Sequence, residues 1–392
     1  MKIGYSNNDY PNKRNIIGLV PNAHYVRIHD INTCICRFAR RMLRRNPIDI
    51  ANVFNDRGLN RVDLMHFFNT ISLAPTPWIS TFETIVPRFK NTLSCHHGRN
   101  CDFTPLTHDT RIRKALNALA SNACRRLIAL SQCNRRMQLD LLHLFPDHYP
   151  LIEPKITCLH PPQPPLVDEY AQKQLPLNGP VRFLFVGHNF FGKGGAEVLE
   201  SFQHARKSGQ NLSLTIVSCL CPDDYATKTS KKDVEKAKNL IRDNSDWIQY
   251  WPSLDNQQVL QLMKNAHVGL LPTYADTYGY SVLEFQAAGC PVISTNIRAL
   301  PEINNNETGW VIQIPKNRLG EALYTTGQDR AEISAAIKKG LTHAIEEIMN
   351  DRQTICRKAN ASIRHIKQDH SPQIHSTKLS QIYQRALNMT NK

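Results

Sequence analysis

At 392 residues the chain is longer than one ordinary hydrophobic core serves, so two domains are expected. A composition 41% hydrophobic marks a globular rather than a disordered chain, and no apolar run approaches the about 20 residues that a membrane-spanning helix needs. The formal charge of +15, from 48 basic and 33 acidic residues, implies an anionic partner: nucleic acid, an acidic membrane face or a phosphorylated ligand.

The opening MKIGYSNNDYPNKRN has no apolar segment of the kind a secretory leader carries, so the expected location is the cytoplasm. Further along, Ile35, Phe38, Met42 and Leu43 fall on one helical face, while Arg37, Arg40, Arg41, Arg44 and Arg45 populate the rest. That is the pattern of a basic amphipathic helix. It is either an ordinary surface helix with its apolar side inward, or a face drawn to anionic lipid at roughly 1 kcal/mol per basic residue. Segments 61–68, 78–82 and 126–131 each resemble a strand ending at a pocket, and 111–125 reads as a helix, so the first half is expected to be α/β with a poorly marked opening strand. No helix-turn-helix, zinc-finger or aromatic-studded RNA signature is present, which disfavours nucleic acid as the partner.

The eleven cysteines are scattered, and in a cytosolic protein most are expected to be reduced and buried. Cys95, His96, His97 and Cys101 would supply two thiols and two imidazoles to a zinc ion, but the spacing CHHGRNC matches no common knuckle. A polar loop ranks above a metal site there.

The stretch HPPQPPLVDEYAQKQLPLNGP, residues 160–180, holds six prolines and reads as a stiff connector. It divides the chain into a first domain at 1–165, a linker at 166–180, a second domain at 181–370 and a terminal segment at 371–392. Beyond it the periods are clear. Strands are expected at 181–187, 212–217, 248–251, 267–272, 291–295 and 309–314, with helices at 194–208, 233–244, 256–265 and 281–288. Such alternation argues for a mostly parallel sheet covered on both faces. Ligands of such sheets sit beyond the carboxyl ends of the strands, which points to the residues after Val186, Leu271 and Ile293. The chain closes on an amphipathic helix, 377–388, with Leu379, Ile382, Tyr383 and Leu387 on one side.

Two stretches carry chemistry. GHNFFGKGG, Gly187 to Gly195, follows a strand and opens a helix. Its glycines let backbone N–H groups approach an anion, the helix N-terminus favours negative charge, and Lys193 adds a full positive charge. The spacing fits neither a P-loop nor the dinucleotide pattern. In DTYGYSVLE, Asp276 falls in the loop after a strand, Gly279 and Tyr280 present N–H groups, and Ser281 is expected to begin a helix with Glu284 in its first turn. Glu284 then either accepts ribose hydroxyls or closes a capping box with Ser281.

Taken together, the glycine-lysine loop, the two acids Asp276 and Glu284 and the following GCPVIST resemble the GT-B glycosyltransferases of family 4, specifically from about residue 181 to 313. In the first half His66, Ser131 and ITCLHPP only echo the family. The resemblance implies two Rossmann-like domains facing each other across a cleft, with the last helix crossing back to the first domain. It implies a retaining, metal-independent hexosyltransferase with no cofactor. A UDP- or GDP-linked sugar would be the donor and a glycan or lipid-linked molecule the acceptor, in surface polysaccharide or glycoconjugate synthesis. Lys193 would hold the diphosphate, with Gly187 and His188 in the same loop. Glu284 would bind the ribose, Asp276 would face the sugar, and N–H groups at Gly279, Tyr280 and Ser281 would meet phosphate. The chain departs from the family at Asp276, where glutamate is usual, and at His188, where arginine is usual. The glycine-rich loop usual near the N-terminus is not visible. Where the family often places a histidine the chain has Thr81-Phe82-Glu83, so Glu83 is either a contact to sugar or acceptor or a buried paired carboxylate. His66 reads as a packed strand-end residue. The contrasting expectation is a non-catalytic module that keeps the fold and holds an anion without turnover. Tyr250 and Trp251 are either base-stacking or core residues.

Overall fold

The computed structural model describes residues 1–44, 48–173 and 178–388, apart from the side chains at positions 33, 34, 36, 37, 40, 43 and 48. The chain divides into two compact units. One comprises 1–97, 101–162 and 370–392, the other 98–100 and 163–369, so the main break falls within the proline-rich stretch.

The first unit is built on strands β1 (Lys2–Tyr5), β2 (His24–Arg27), β3 (Val53–Phe54), β4 (Leu64–Phe68), β5 (Ile71–Ser72), β6 (Trp78–Phe82), β7 (Cys124–Ala129) and β8 (Ile156–Cys158). Six of them form a parallel sheet in the order β2-β1-β4-β6-β7-β8, with β3 and β5 as a separate short pair. Ile3, Leu64, Ile79 and Ile128 form its core together with Leu379, Tyr383 and Ala386 of the helix Pro372–Asn388. That helix begins five residues earlier than its apolar stripe indicates, since proline is well placed in a first turn. The helix expected at 111–125 instead ends at Ala120. Ser121 is extended, and Arg125 lies in β7, whose run pairs with β6. Strand pairing outweighs helix propensity there.

The second unit contains β9 (Val181–Asn189), β10 (Leu212–Cys219), β11 (Ile248–Trp251), β12 (Val268–Leu271), β13 (Val292–Thr295) and β14 (Gly309–Ile312). All pair in parallel, in the order β11-β10-β9-β12-β13-β14. Every residue of β12 and β13 is buried, as expected of strands covered on both faces. The order reverses between β9 and β12, so their carboxyl ends flank a topological switch point. Two long helices, Gly327–Asn350 and Gln353–Asp369, complete the unit.

Three of the described cysteines, Cys124, Cys133 and Cys290, are buried and outside any disulfide. Cys95, Cys101, Cys158 and Cys356 are half-buried, and Cys219 and Cys221 are paired with each other, so most of the described cysteines are reduced as expected but fewer than half are buried. Among the described residues no helix is long and apolar enough to cross a membrane.

Candidate functional site

Two loops meet at the switch point. The first follows β9, which runs two residues beyond its expected end to Asn189. The Asn189 side chain closes the turn: Oδ1 accepts from Gly192 N at 3.1 Å, and Nδ2 donates to Asp223 Oδ1 at 2.9 Å. Gly194 then caps the helix Gly195–Lys207 with φ +80°, and a Cβ there would lie 2.0 Å from the Pro272 carbonyl oxygen. Only glycine allows this approach. The approach lets Gly192 O accept from Tyr274 N at 3.0 Å and from Thr273 Oγ1 at 3.1 Å, stitching the loop to the one after β12.

Lys193 sits at this seam. Its Nζ donates to Ala275 O at 2.8 Å and to Asp276 Oδ2 at 2.6 Å. The other carboxylate oxygen, Oδ1, accepts from Tyr278 N at 3.1 Å. The two side chains are 21% and 16% exposed, so the pair is within reach of a ligand without being immersed in solvent. Gly187 does not belong to the loop as expected; it lies inside β9. A Cβ on it would approach Lys193 Cγ to 2.9 Å, so its contribution is room for the lysine stem. His188 is also within β9, and exposed.

The helix after Asp276 spans Tyr280–Ala287, with Gly279 as its N-cap at φ +94°. A Cβ on Gly279 would meet Leu300 Cδ2 at 2.4 Å. No side chain caps this helix. The expected start at Ser281 is therefore corrected to Tyr280, and the capping box is excluded: Ser281 is second in the helix and Glu284 fifth, half-buried in the second turn. The left-handed backbone that only glycine adopts cheaply sets this earlier start. An uncapped helix start directs its first N–H groups and the positive end of its dipole outward. A cation, an acid and this helix start thus share one loop cluster, which suits a phosphate beside a polyol. Trp251, 40% exposed at the end of β11, is not a core residue, while Tyr250 is half-buried.

The first-unit candidates are enclosed. Glu83, one residue past β6, accepts at Oε1 from Arg88 Nη1 at 2.8 Å and Asn69 Nδ2 at 3.1 Å, with its side chain 12% exposed. Its carboxylate is thus paired with a cation, as that of Asp276 is. His66 is fully buried, with Nδ1 2.8 Å from Tyr383 Oη and Nε2 2.8 Å from Thr81 Oγ1. Burial, and secondarily the charge of His375, lower its pKa to about 3, so it stays neutral. Arg41 and Arg44 are exposed, while the side chains of Arg37, Arg40 and Arg45 lie outside the described residues. Phe38 and Met42 are 62% and 63% exposed, and Ile35 is exposed too, so these three apolar side chains do not turn inward, while that of Leu43 lies outside the described residues. His96 is buried with its ring edge-on to His97, centroids 4.5 Å apart. Asn189, Gly194 and Tyr274, which shape the site, were not singled out from sequence; their contacts are long-range, and only the glycine density around 192–195 hinted at them.

Residues 167–351, a little under half of the chain, match the family model described as Glycosyl transferases group 1. Over 209 residues the chain is 24% identical to a glycogen synthase of Mycobacterium tuberculosis, a match covering 53% of this chain and 43% of that protein. The match therefore spans less than half of that relative's length. Among solved structures, sucrose-phosphate synthase from Thermosynechococcus elongatus is similar with TM-score 0.57 at 13% identity, over 99% of this chain and 89% of that one. Anabaena Alr3699/HepE, solved in complex with UDP-glucose, is similar with TM-score 0.56 at 11% identity, over 98% and 99%. With a parallel α/β sheet in each unit, these likenesses give the chain its class: it has the GT-B fold, built of two Rossmann-like domains.

Proposed function

We propose that this chain is a retaining glycosyltransferase of family 4 that moves a sugar from a nucleotide-sugar donor to a glycan or lipid-linked acceptor. The observation that carries this reading is the Lys193–Asp276 pair at the switch point, beside an uncapped helix start. The donor diphosphate takes Lys193 from Asp276, its charge met by the ammonium and by the helix dipole. This neutralisation stands in for a divalent metal. Asp276, released, turns to the sugar hydroxyls, and Glu284 accepts from the ribose. Charge-assisted bonds of this kind contribute about 1.5–3 kcal/mol each. UDP-glucose, bound by Anabaena HepE, makes uridine the first base to test.

Arg41 and Arg44 beside the exposed Phe38 and Met42 support an anionic membrane surface as a further partner and a cytoplasmic, peripheral location. That setting suits a lipid-linked acceptor in surface polysaccharide or glycoconjugate synthesis. The bond between Lys193 and Asp276 also fits the second reading, a binding module without turnover, because the acid is then permanently engaged. Asp276→Glu separates the two: a gain in transfer rate supports a working site.

The test is a thermal-shift panel of UDP-, GDP-, ADP- and CMP-sugars on wild type, Lys193→Ala and Glu284→Ala. A donor at a hundred times its dissociation constant adds about 2.7 kcal/mol of stability. A shift with one nucleotide class, erased by both substitutions, is the expected result. No shift with any donor, in a protein that melts cooperatively, overturns the proposal.

A further inference from the structure

Glu197 is the third residue of the helix that follows the Lys193 loop, and it is buried. Its Oε1 accepts from Tyr274 Oη at 2.7 Å and from Ser334 Oγ, on the helix Gly327–Asn350, at 2.8 Å. Its Oε2 has no hydrogen-bond partner. No cation pairs with this carboxyl among the described residues. Burial raises its pKa above the usual carboxylate range, the two hydroxyl donors opposing that only in part. An acid in such a place costs stability that an apolar residue of similar size would spare. Packing alone does not account for it.

Its partner supplies the reason. Tyr274 is buried, and its backbone N donates to Gly192 O in the Lys193 loop. The next two residues are the ones that hold Lys193: Ala275 through its carbonyl and Asp276 through its carboxylate. The tyrosine ring thus pins the backbone from which both acceptors project, and Glu197 pins the ring.

We propose that Glu197 is a positioning residue for the donor site: through the Tyr274 hydroxyl it fixes the loop that presents Ala275 and Asp276 to Lys193, and through Ser334 it ties that loop to the helix Gly327–Asn350. The proposal rests on the reading of Lys193 and Asp276 as donor ligands. Glu197 touches neither of them and is not a catalytic residue.

The test compares wild type with Glu197→Ala, Glu197→Gln, Tyr274→Phe and the double variant Glu197→Ala with Tyr274→Phe. UDP-glucose, GDP-mannose and ADP-glucose are titrated by calorimetry into the full chain. Glu197→Ala and Tyr274→Phe are each expected to raise the dissociation constant of the bound donor about tenfold, in protein that still melts cooperatively. The double variant should be no worse than either single one, because both remove the same link. Glu197→Gln, which keeps an acceptor oxygen and the volume, should recover most of the affinity. Wild-type affinity in both single variants, or losses that add in the double variant, would overturn the proposal. If Glu197→Ala does not fold, Tyr274→Phe carries the same comparison. A wild type that binds none of the three donors removes the donor-site reading, and amide hydrogen exchange then decides the positioning by itself. Faster exchange at residues 273–278 in Tyr274→Phe supports it; unchanged exchange sinks it.

Discussion

Glu83 and Asp276 are both carboxylates placed just beyond a buried parallel strand, β6 in one unit and β12 in the other, and each holds a cation. The cation of Glu83 is Arg88, five residues along the same loop, with Asn69 donating to the same carboxylate oxygen. The cation of Asp276 arrives from 83 positions away, on the loop after the neighbouring strand β9. Around Glu83 the pair is local, and the two pairs are about equally exposed. Around Asp276 it straddles the point where the strand order reverses, next to a helix whose N-cap is a glycine without a capping side chain. An ion pair by itself says little about function; the backbone left open beside it says more.

The largest expected effect concerns the buried histidines of the first unit. The first unit buries His66 and His375 neutral, their pKa values lowered to about 3 and about 4, chiefly by burial. Both bind fewer protons when folded than when unfolded. Stability is therefore complete above about pH 6.5 and falls as the pH drops toward 4, by about 1.4 kcal/mol per pH unit for each histidine. Urea unfolding between pH 7 and 4.5 should show this slope, and His66→Gln should remove one proton's share of it. An unchanged slope would mean that His66 takes up no proton on unfolding.

The next effect bears directly on the two pairs. Arg88→Ala and Lys193→Ala each remove the cation from a mostly buried carboxylate and should cost a similar about 1–2 kcal/mol in urea unfolding. Only Lys193→Ala should also erase the donor-induced rise in melting temperature. Loss of the donor response in Arg88→Ala would dissolve the contrast. Gly279→Ala forces a side chain into φ +94° and against Leu300, and should cost about 1–2 kcal/mol together with weaker donor binding. The smallest effect belongs to Ser281→Ala. With no cap to lose, it should change stability by less than about 0.5 kcal/mol, whereas a loss near 1 kcal/mol would restore the capping box.

What was legible in the sequence follows from range. The runs VRFLFV, VGLL and VIST read as strands because parallel strands buried on both faces are apolar throughout. Lys193 and Asp276 were legible as loop residues beyond those strands, since sheets of this kind place ligands there. Their bond to each other was not, nor was the Tyr274–Glu197 link, because a single sequence does not show contacts 77 to 83 positions apart. Gly187 was misplaced into the loop because β9 continues past it to Asn189, paired with Cys219. The first unit was harder to read because β3 and β5 are two residues each and β1 only four, too short to set up a period.

The most direct measurement is a crystal structure of the protein with the nucleotide that the thermal-shift panel selects. The diphosphate is expected beside Lys193 Nζ and the first N–H groups of the helix Tyr280–Ala287, with Asp276 released from the lysine and Glu284 on the ribose. A nucleotide lodged elsewhere, for example in the cavity of about 680 Å³ lined by Trp310, Lys339 and His343, with the Lys193–Asp276 pair intact, would contradict it.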